Sequence, residues 1–156
     1  MLVGSGVRTV MTSTITGDAE LKRKLSKLKD FSQLYPTLMA GGIHIKGLAA
    51  TYPPSGPGNM PPIPYYIRGV GMQVSEGRNL GNSEDLGPSW TATGEGGTKV
   101  IIGNDTSYGP WVQDPQKQAA AMKKIGWKTT DDAVNEGQGK VLEEIKKKVD
   151  QILSTG

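Results

Sequence analysis

Six of the chain's ten prolines stand within twelve positions, in the run Pro53-Pro54-Ser55-Gly56-Pro57-Gly58-Asn59-Met60-Pro61-Pro62-Ile63-Pro64. Proline has no backbone N–H to donate and holds φ at about −65°, so no helix interior or central strand can run through this stretch. It predicts an extended loop with polyproline-like pieces. Whatever the 156 residues build, they build it from one segment before this loop and another after it.

Before the loop, residues 1–16 are polar and small, rich in Thr, Ser and Gly, and predict a flexible N-terminal arm. Met11 offers an alternative natural start. Residues 17–156 are expected to form a single domain. Asp18 to Leu34 reads as a helix, because Leu21, Leu25 and Leu28 recur on one helical face. Asp18 and Glu20 suit its positive end. Lys22, Arg23, Lys24, Lys27 and Lys29 cover its other faces, either as a solvated surface or as a phosphate-binding patch. Pro36 should break or restart the helix. Thr37 to Thr51 is helix-compatible, and its small residues, Ala40, Gly41, Gly42 and Gly47 among them, allow close packing on another element. His44 in this stretch reads as a structural histidine.

After the loop, Tyr65 to Val70 predicts a strand, and the glycine-rich polar stretch from Gly71 to Leu86 a second long loop. Ser89–Thr93 and Thr98–Ile102 predict two strands joined into a hairpin by Gly94-Glu95-Gly96-Gly97. Tyr108 to Gln113 is a short aromatic segment, and Gln116 to Lys124 a brief helix. Thr130-Asp131-Asp132 marks a further helix start. Val141, Leu142, Ile145, Val149, Ile152 and Leu153 give that helix an apolar stripe, with a kink expected at Gly137 and Gly139. The order predicts an α+β fold: an N-terminal and a C-terminal helix packed against a small antiparallel β-sheet, with long Gly/Pro-rich loops.

Composition sharpens the picture. Leu, Ile, Val and Phe are only about one fifth of the chain, while net charge is a modest +3. That is a thin core without the charge excess of a disordered chain, and it suggests that partners supply part of the stability. With no cysteine there is no disulfide, thiolate metal site or cysteine nucleophile, and one histidine cannot build a His-rich zinc site. No cofactor or metal is expected. No stretch is long and apolar enough to span a membrane, and the first residues lack a signal-peptide core, so a cytoplasm is where the chain is expected to be made and kept. Gly137-Gln138-Gly139-Lys140 lacks the spacing of a P-loop, and Gly69-Val70-Gly71 lacks the third glycine of a dinucleotide site. Asp131-Asp132 and Glu143-Glu144 are adjacent on a helix and point apart. The expectation is a protein that is not an enzyme.

The aromatics carry more. Trp90, Tyr108, Trp111 and Trp127 cluster in the second half. They fill a thin core, or some of them anchor a partner surface, where Trp, Tyr and Arg dominate binding; the two readings coexist.

Several short stretches fall in a familiar order. An amphipathic helix runs towards Tyr52-Pro53-Pro54. Tyr65-Tyr66-Ile67-Arg68-Gly69 follows, then Leu86-Gly87-Pro88-Ser89-Trp90-Thr91, similar to an "L-G-x-S-W" strand start. Val100-Ile101-Ile102-Gly103-Asn104-Asp105-Thr106-Ser107-Tyr108-Gly109-Pro110-Trp111-Val112-Gln113 is similar to a strand followed by "N-x-x-x-Y-A-x-x-V-Q", with Gly109 in place of the usual alanine. Gly126-Trp127-Lys128-Thr129 matches "G-x-W-x-T" before the last helix. Over about residues 18 to 153 the chain resembles the tail-completion, or head–tail joining, family of long-tailed bacteriophages, also described as minor tail or virion-morphogenesis proteins.

The resemblance implies a small α+β fold and a homo-oligomeric ring, most often a hexamer, at the head-proximal end of the tail. Its partners would be further copies of itself, the tail tube or terminator, and the neck or connector proteins. DNA would pass through the lumen only as cargo, no membrane would be involved, and the place of work would be the virion neck and tail. Arg68, Trp90, Tyr108, Trp111, Gln113 and Trp127 are the interface candidates. The loops at 53–64 and 71–86 and the N-terminal arm are expected to touch adjacent rings. The neighbouring alternative is a tail terminator or head-closure ring. From a different class, a nucleic-acid-binding accessory protein would use the basic first helix, with salt-dependent binding as its mark.

Overall fold

The structure, a computed structural model, describes residues 18–62, 64–75, 77–79 and 84–155. The expected arm at 1–16 lies outside these. Among the described residues the fold is α+β. It has five helices, a three-stranded antiparallel sheet and a two-stranded one.

The first helix, α1, spans Asp18–Lys27 and stops short of the predicted Leu34. The reason is local. Leu28 and Lys29 donate to carbonyls only three residues back, and the Asp30 carboxylate accepts from the Ser32 backbone N–H at 2.9 Å. A side chain that captures a nearby amide in this way competes with the helix ladder. A 3-10 turn at Phe31–Gln33 follows, then α2 at Tyr35–Ala49. Pro36 sits in the first turn of α2, where its missing N–H costs nothing, so it restarts the helix rather than breaking one.

The glycines of α2 do what their size allows. A Cβ on Gly41 would come within 2.7 Å of Val141 Cγ1, and one on Gly42 within 2.5 Å of Val100 Cγ1. α2 is therefore wedged between the last helix, α5 (Thr130–Ser154), and the hairpin of β4 (Trp90–Glu95) and β5 (Lys99–Asn104). It is α2, not the N-terminal helix, that covers this sheet. The contact of α1 is with α5, where Lys27 Nζ donates to the Thr155 carbonyl at 2.8 Å. The predicted leucine stripe of α1 is left outside: Leu21 is 55% and Leu25 53% exposed.

Among its described residues up to 64, the loop after α2 has no regular element apart from an isolated bridge between Gly56 and Asn59, as the prolines dictate. Asn59 organises it. Its side chain donates to the Pro54 carbonyl and accepts from the Tyr66 N–H, at 3.2 and 2.6 Å. That second bond ties the loop to β1 (Tyr65–Ile67).

The long loop expected at 71–86 is a correction. Gly71–Ser75 forms β2, pairing with β1, and Arg78–Asn79 forms β3, pairing with β2; a 3-10 turn covers Glu84–Leu86. The reversal is made at Gly69, whose φ is 79°, a region open to glycine at no steric cost. Met72 and Val74 then alternate onto the core side. The second hairpin forms as predicted but runs further, from Trp90↔Asn104 to Glu95↔Lys99, with Gly96 and Gly97 at positive φ in the turn.

Two short helices follow, α3 (Gly109–Gln113) and α4 (Ala120–Ile125), the latter closed by Gly126 in the left-handed conformation. α5 then starts at Thr130, with its cap one residue before. Thr129 is its cap: its hydroxyl accepts from the Asp132 N–H at 3.1 Å while the Asp132 carboxylate accepts from the Thr129 N–H at 2.9 Å. α5 continues as one helix through Gly137 and Gly139. Gly137 faces α2, where a Cβ would meet Ile45 and Leu48 at 3.0 Å. Leu142 departs from the predicted stripe and is exposed.

The interior is in two parts. Tyr66, Met72, Leu86, Val112, Ile125 and Trp127 form one cluster; Ala49, Trp90 and Ala133 form the other.

Candidate interaction surfaces

The six candidate residues separate into interior and exterior. Gln113 is 2% exposed and sits at the end of α3. Its amide nitrogen donates to the Ala49 carbonyl at 2.6 Å, and its amide oxygen accepts from the Trp90 indole N–H at 3.1 Å. Ala49 is the last residue of α2, whose terminal carbonyls have no partner within the helix. One side chain thus closes the end of α2 and fixes the indole of β4. Trp90 and Gln113 are committed inside the chain.

Trp127 is also interior. It packs against Tyr52 and Tyr66, each at 5.4 Å between ring centroids, while the two tyrosines stack at 5.8 Å. These offset and edge-on arrangements suit the ring quadrupoles. Tyr108 is half-buried against the same cluster. Burial pushes the Tyr66 phenol up to about 12 and raises that of Tyr52 as well. Among the described residues the buried Tyr66 hydroxyl has no hydrogen-bond partner, whereas the Tyr52 hydroxyl donates to the Glu84 carbonyl at 2.6 Å. Arg68 is exposed and lies over the outer face of Tyr52, its guanidinium carbon 4.7 Å from the ring centroid. Arg68 thus sets a positive charge on this aromatic stack at the surface.

Trp111 is exterior as well, 61% exposed on α3. Its position on that helix is well held. The preceding turn is built by Asn104, whose side chain donates to the Leu86 carbonyl at 2.7 Å and accepts from both the Thr106 N–H and its hydroxyl, at 2.9 and 2.6 Å. The following turn is built by Asp114, whose carboxylate accepts from the N–H of Gln116 and of Lys117 at 2.8 and 3.1 Å. Gln118 then spans the Val112 and Trp127 carbonyls.

Beside α3 lies a cavity of about 310 Å³. It opens between α2, α3, the hairpin and the start of α5, with Ile45, Ala49, Trp90, Ile102, Ala133 and Val134 giving apolar walls. Asn104 and Asp114 stand at its polar side. Leu21, Leu25, Ile43, Met60, Ile101 and Leu142 are further large apolar side chains at the surface.

Sequence reasoning put Trp90, Trp127 and Trp111 in one class. It missed Tyr52, Asn59 and Asn104 as organising residues; the sign was there in each, an aromatic before the proline run and two asparagines at chain reversals. No group of three His, Asp or Glu residues able to hold a metal occurs among the described residues, and no described helix is long and apolar enough to cross a membrane. No family model, curated protein or solved structure matches the chain.

Proposed function

We propose that the chain is a structural protein of a bacteriophage neck or tail, forming a ring that completes the head-proximal end of the tail and joins it to the connector. One observation supports this reading above the others. Ten large hydrophobic side chains are exposed, against eleven hydrophobic residues that are buried, among those described. Single exposed apolar residues are ordinary, but so many on so small a core suit a molecule whose surfaces are covered in an assembly. The resemblance in the order of motifs names that assembly. In this role the protein carries out no reaction; it acts by presenting one surface to each neighbour, with DNA passing through the lumen.

Light scattering across a concentration series, followed by negative-stain imaging, tests the reading. A discrete multiple of the chain mass, six being the expected number, with closed rings in the images, supports it. A chain that stays monomeric and binds DNA with a steep salt dependence, as phosphate contacts require, overturns it in favour of the nucleic-acid-binding accessory protein.

A further inference from the structure

We infer that Trp111 of one copy of this chain seats in the α2–α3–hairpin cavity of a second copy. The indole is a large apolar group held out in solvent on a braced helix. The cavity, about 310 Å³ with mostly apolar walls, lies at the small end of the range for ligand sites, about 300 to 1,000 Å³. That size fits one bicyclic ring better than an extended ligand. Its back wall is unyielding, since Ala133 is 0% exposed and Trp90 is held by Gln113. One Asp114 carboxylate oxygen is engaged by the following turn, leaving the other to accept an indole N–H.

The plug and the socket share α3 but point differently. Pro110, Gln113 and Asp114 line the cavity and Trp111 does not. Successive helix positions are about 100° apart, so Trp111 is turned away from its own socket and cannot fill it in the same chain. Each copy gives one indole and receives one, either reciprocally in a two-fold dimer or, when the two contacts fall on different neighbours, head-to-tail in an arrangement that closes by rotation into a ring. Charge agrees with the pairing. Between Trp111 and Gly126 the exposed charges are basic, at Lys117, Lys123 and Lys124, whereas Asp114 lines the socket and Asp131 adjoins its lining residue Thr130.

The proposal depends on the ring reading only for closure. Two full-length variants test it by light scattering, with thermal melts to verify folding. Trp111→Ala removes the plug. Val134→Arg, at a half-exposed rim position, obstructs the socket. Each alone is expected to weaken self-association roughly 30-fold, the effect of truncating a central hot spot. Mixed in equal amounts, the two are expected to form a dimer and stop, since one retains a socket and the other a plug. Wild-type association unchanged by Trp111→Ala overturns the proposal, as does a mixture of folded variants that stays monomeric, or a wild-type chain that never associates. If the variants behave as expected but particles lacking the protein still join heads to tails, the plug and socket stand and the neck function falls.

Discussion

Gln113 and Trp90 stand 23 positions apart in sequence and meet through a buried hydrogen bond of 3.1 Å, the same glutamine closing the end of α2 on its other side. Gln113→Ala leaves an indole N–H and a helix-end carbonyl buried without partners. Each such loss costs about 1–3 kcal/mol, so a destabilisation of about 3 kcal/mol is expected in urea denaturation, with the m-value unchanged. A change below about 1 kcal/mol would show that water replaces the amide.

Two glycines of α2 should respond in opposite senses to the same substitution. Gly42→Ala forces a methyl against the stiff Val100 side chain and should cost about 1–3 kcal/mol, as overpacking does. Gly47 has open space around its missing Cβ, so Gly47→Ala should stabilise by up to about 1 kcal/mol through helix propensity. The melting temperatures of the pair settle whether the glycines are there for approach or for flexibility.

Such contrasts explain what the sequence carried. Small residues and turn chemistry located α2 and the hairpin, and periodicity located α5, whose pattern is several turns long. Periodicity placed the start of α1 but overran its end, and β2 was missed. The Leu21–Leu25 stripe is a valid amphipathic face, yet among the described residues nothing covers it; a pattern specifies that a face is to be buried, not what buries it. Residues 71–75 read as loop because their pairing comes from β1, across a reversal at Gly69 that no window sees. The candidate surface was half legible for the same reason. A tryptophan's burial depends on distant partners, such as Gln113 for Trp90 and Tyr52 for Trp127, so only the structure separates Trp111 from the other two.

The reciprocal cap at Thr129 and Asp132 yields an acid signature. The hydrogen bonds from Thr129 hold the Asp132 carboxyl below its ordinary value of 3.8. The folded state therefore gains stability from the ionised form above that value, and loses it as the pH falls through the lower, folded one. Thr129→Ala should cost about 1 kcal/mol at neutral pH, and the difference from wild type should shrink in urea titrations at pH 3.

Tyr66 yields the opposite signature. Its phenol is raised by burial from 10.0 to about 12, so the neutral form favours folding. The stabilisation is full below pH 10 and is lost as the pH rises from about 10 through about 12. Tyr66→Phe should remove this alkaline sensitivity and, because the hydroxyl has no partner among the described residues, should leave neutral-pH stability unchanged or raise it by up to ~1 kcal/mol. Absorbance titration of the phenolates would find one late-titrating phenol missing in the variant.

The two-part interior also divides how the molecule breathes. The aromatic cluster and the Ala49–Trp90–Ala133 cluster have no residue in common, and polar contacts such as those of Gln113 and Gln118 bridge the elements around them. Cooperative units bounded in this way open with separate free energies. Amide protons of β1 and β2 should thus exchange with solvent independently of those in α2 and α5. A neighbour seated against the second unit would slow exchange there and leave the first free to adapt its shape to whatever it meets.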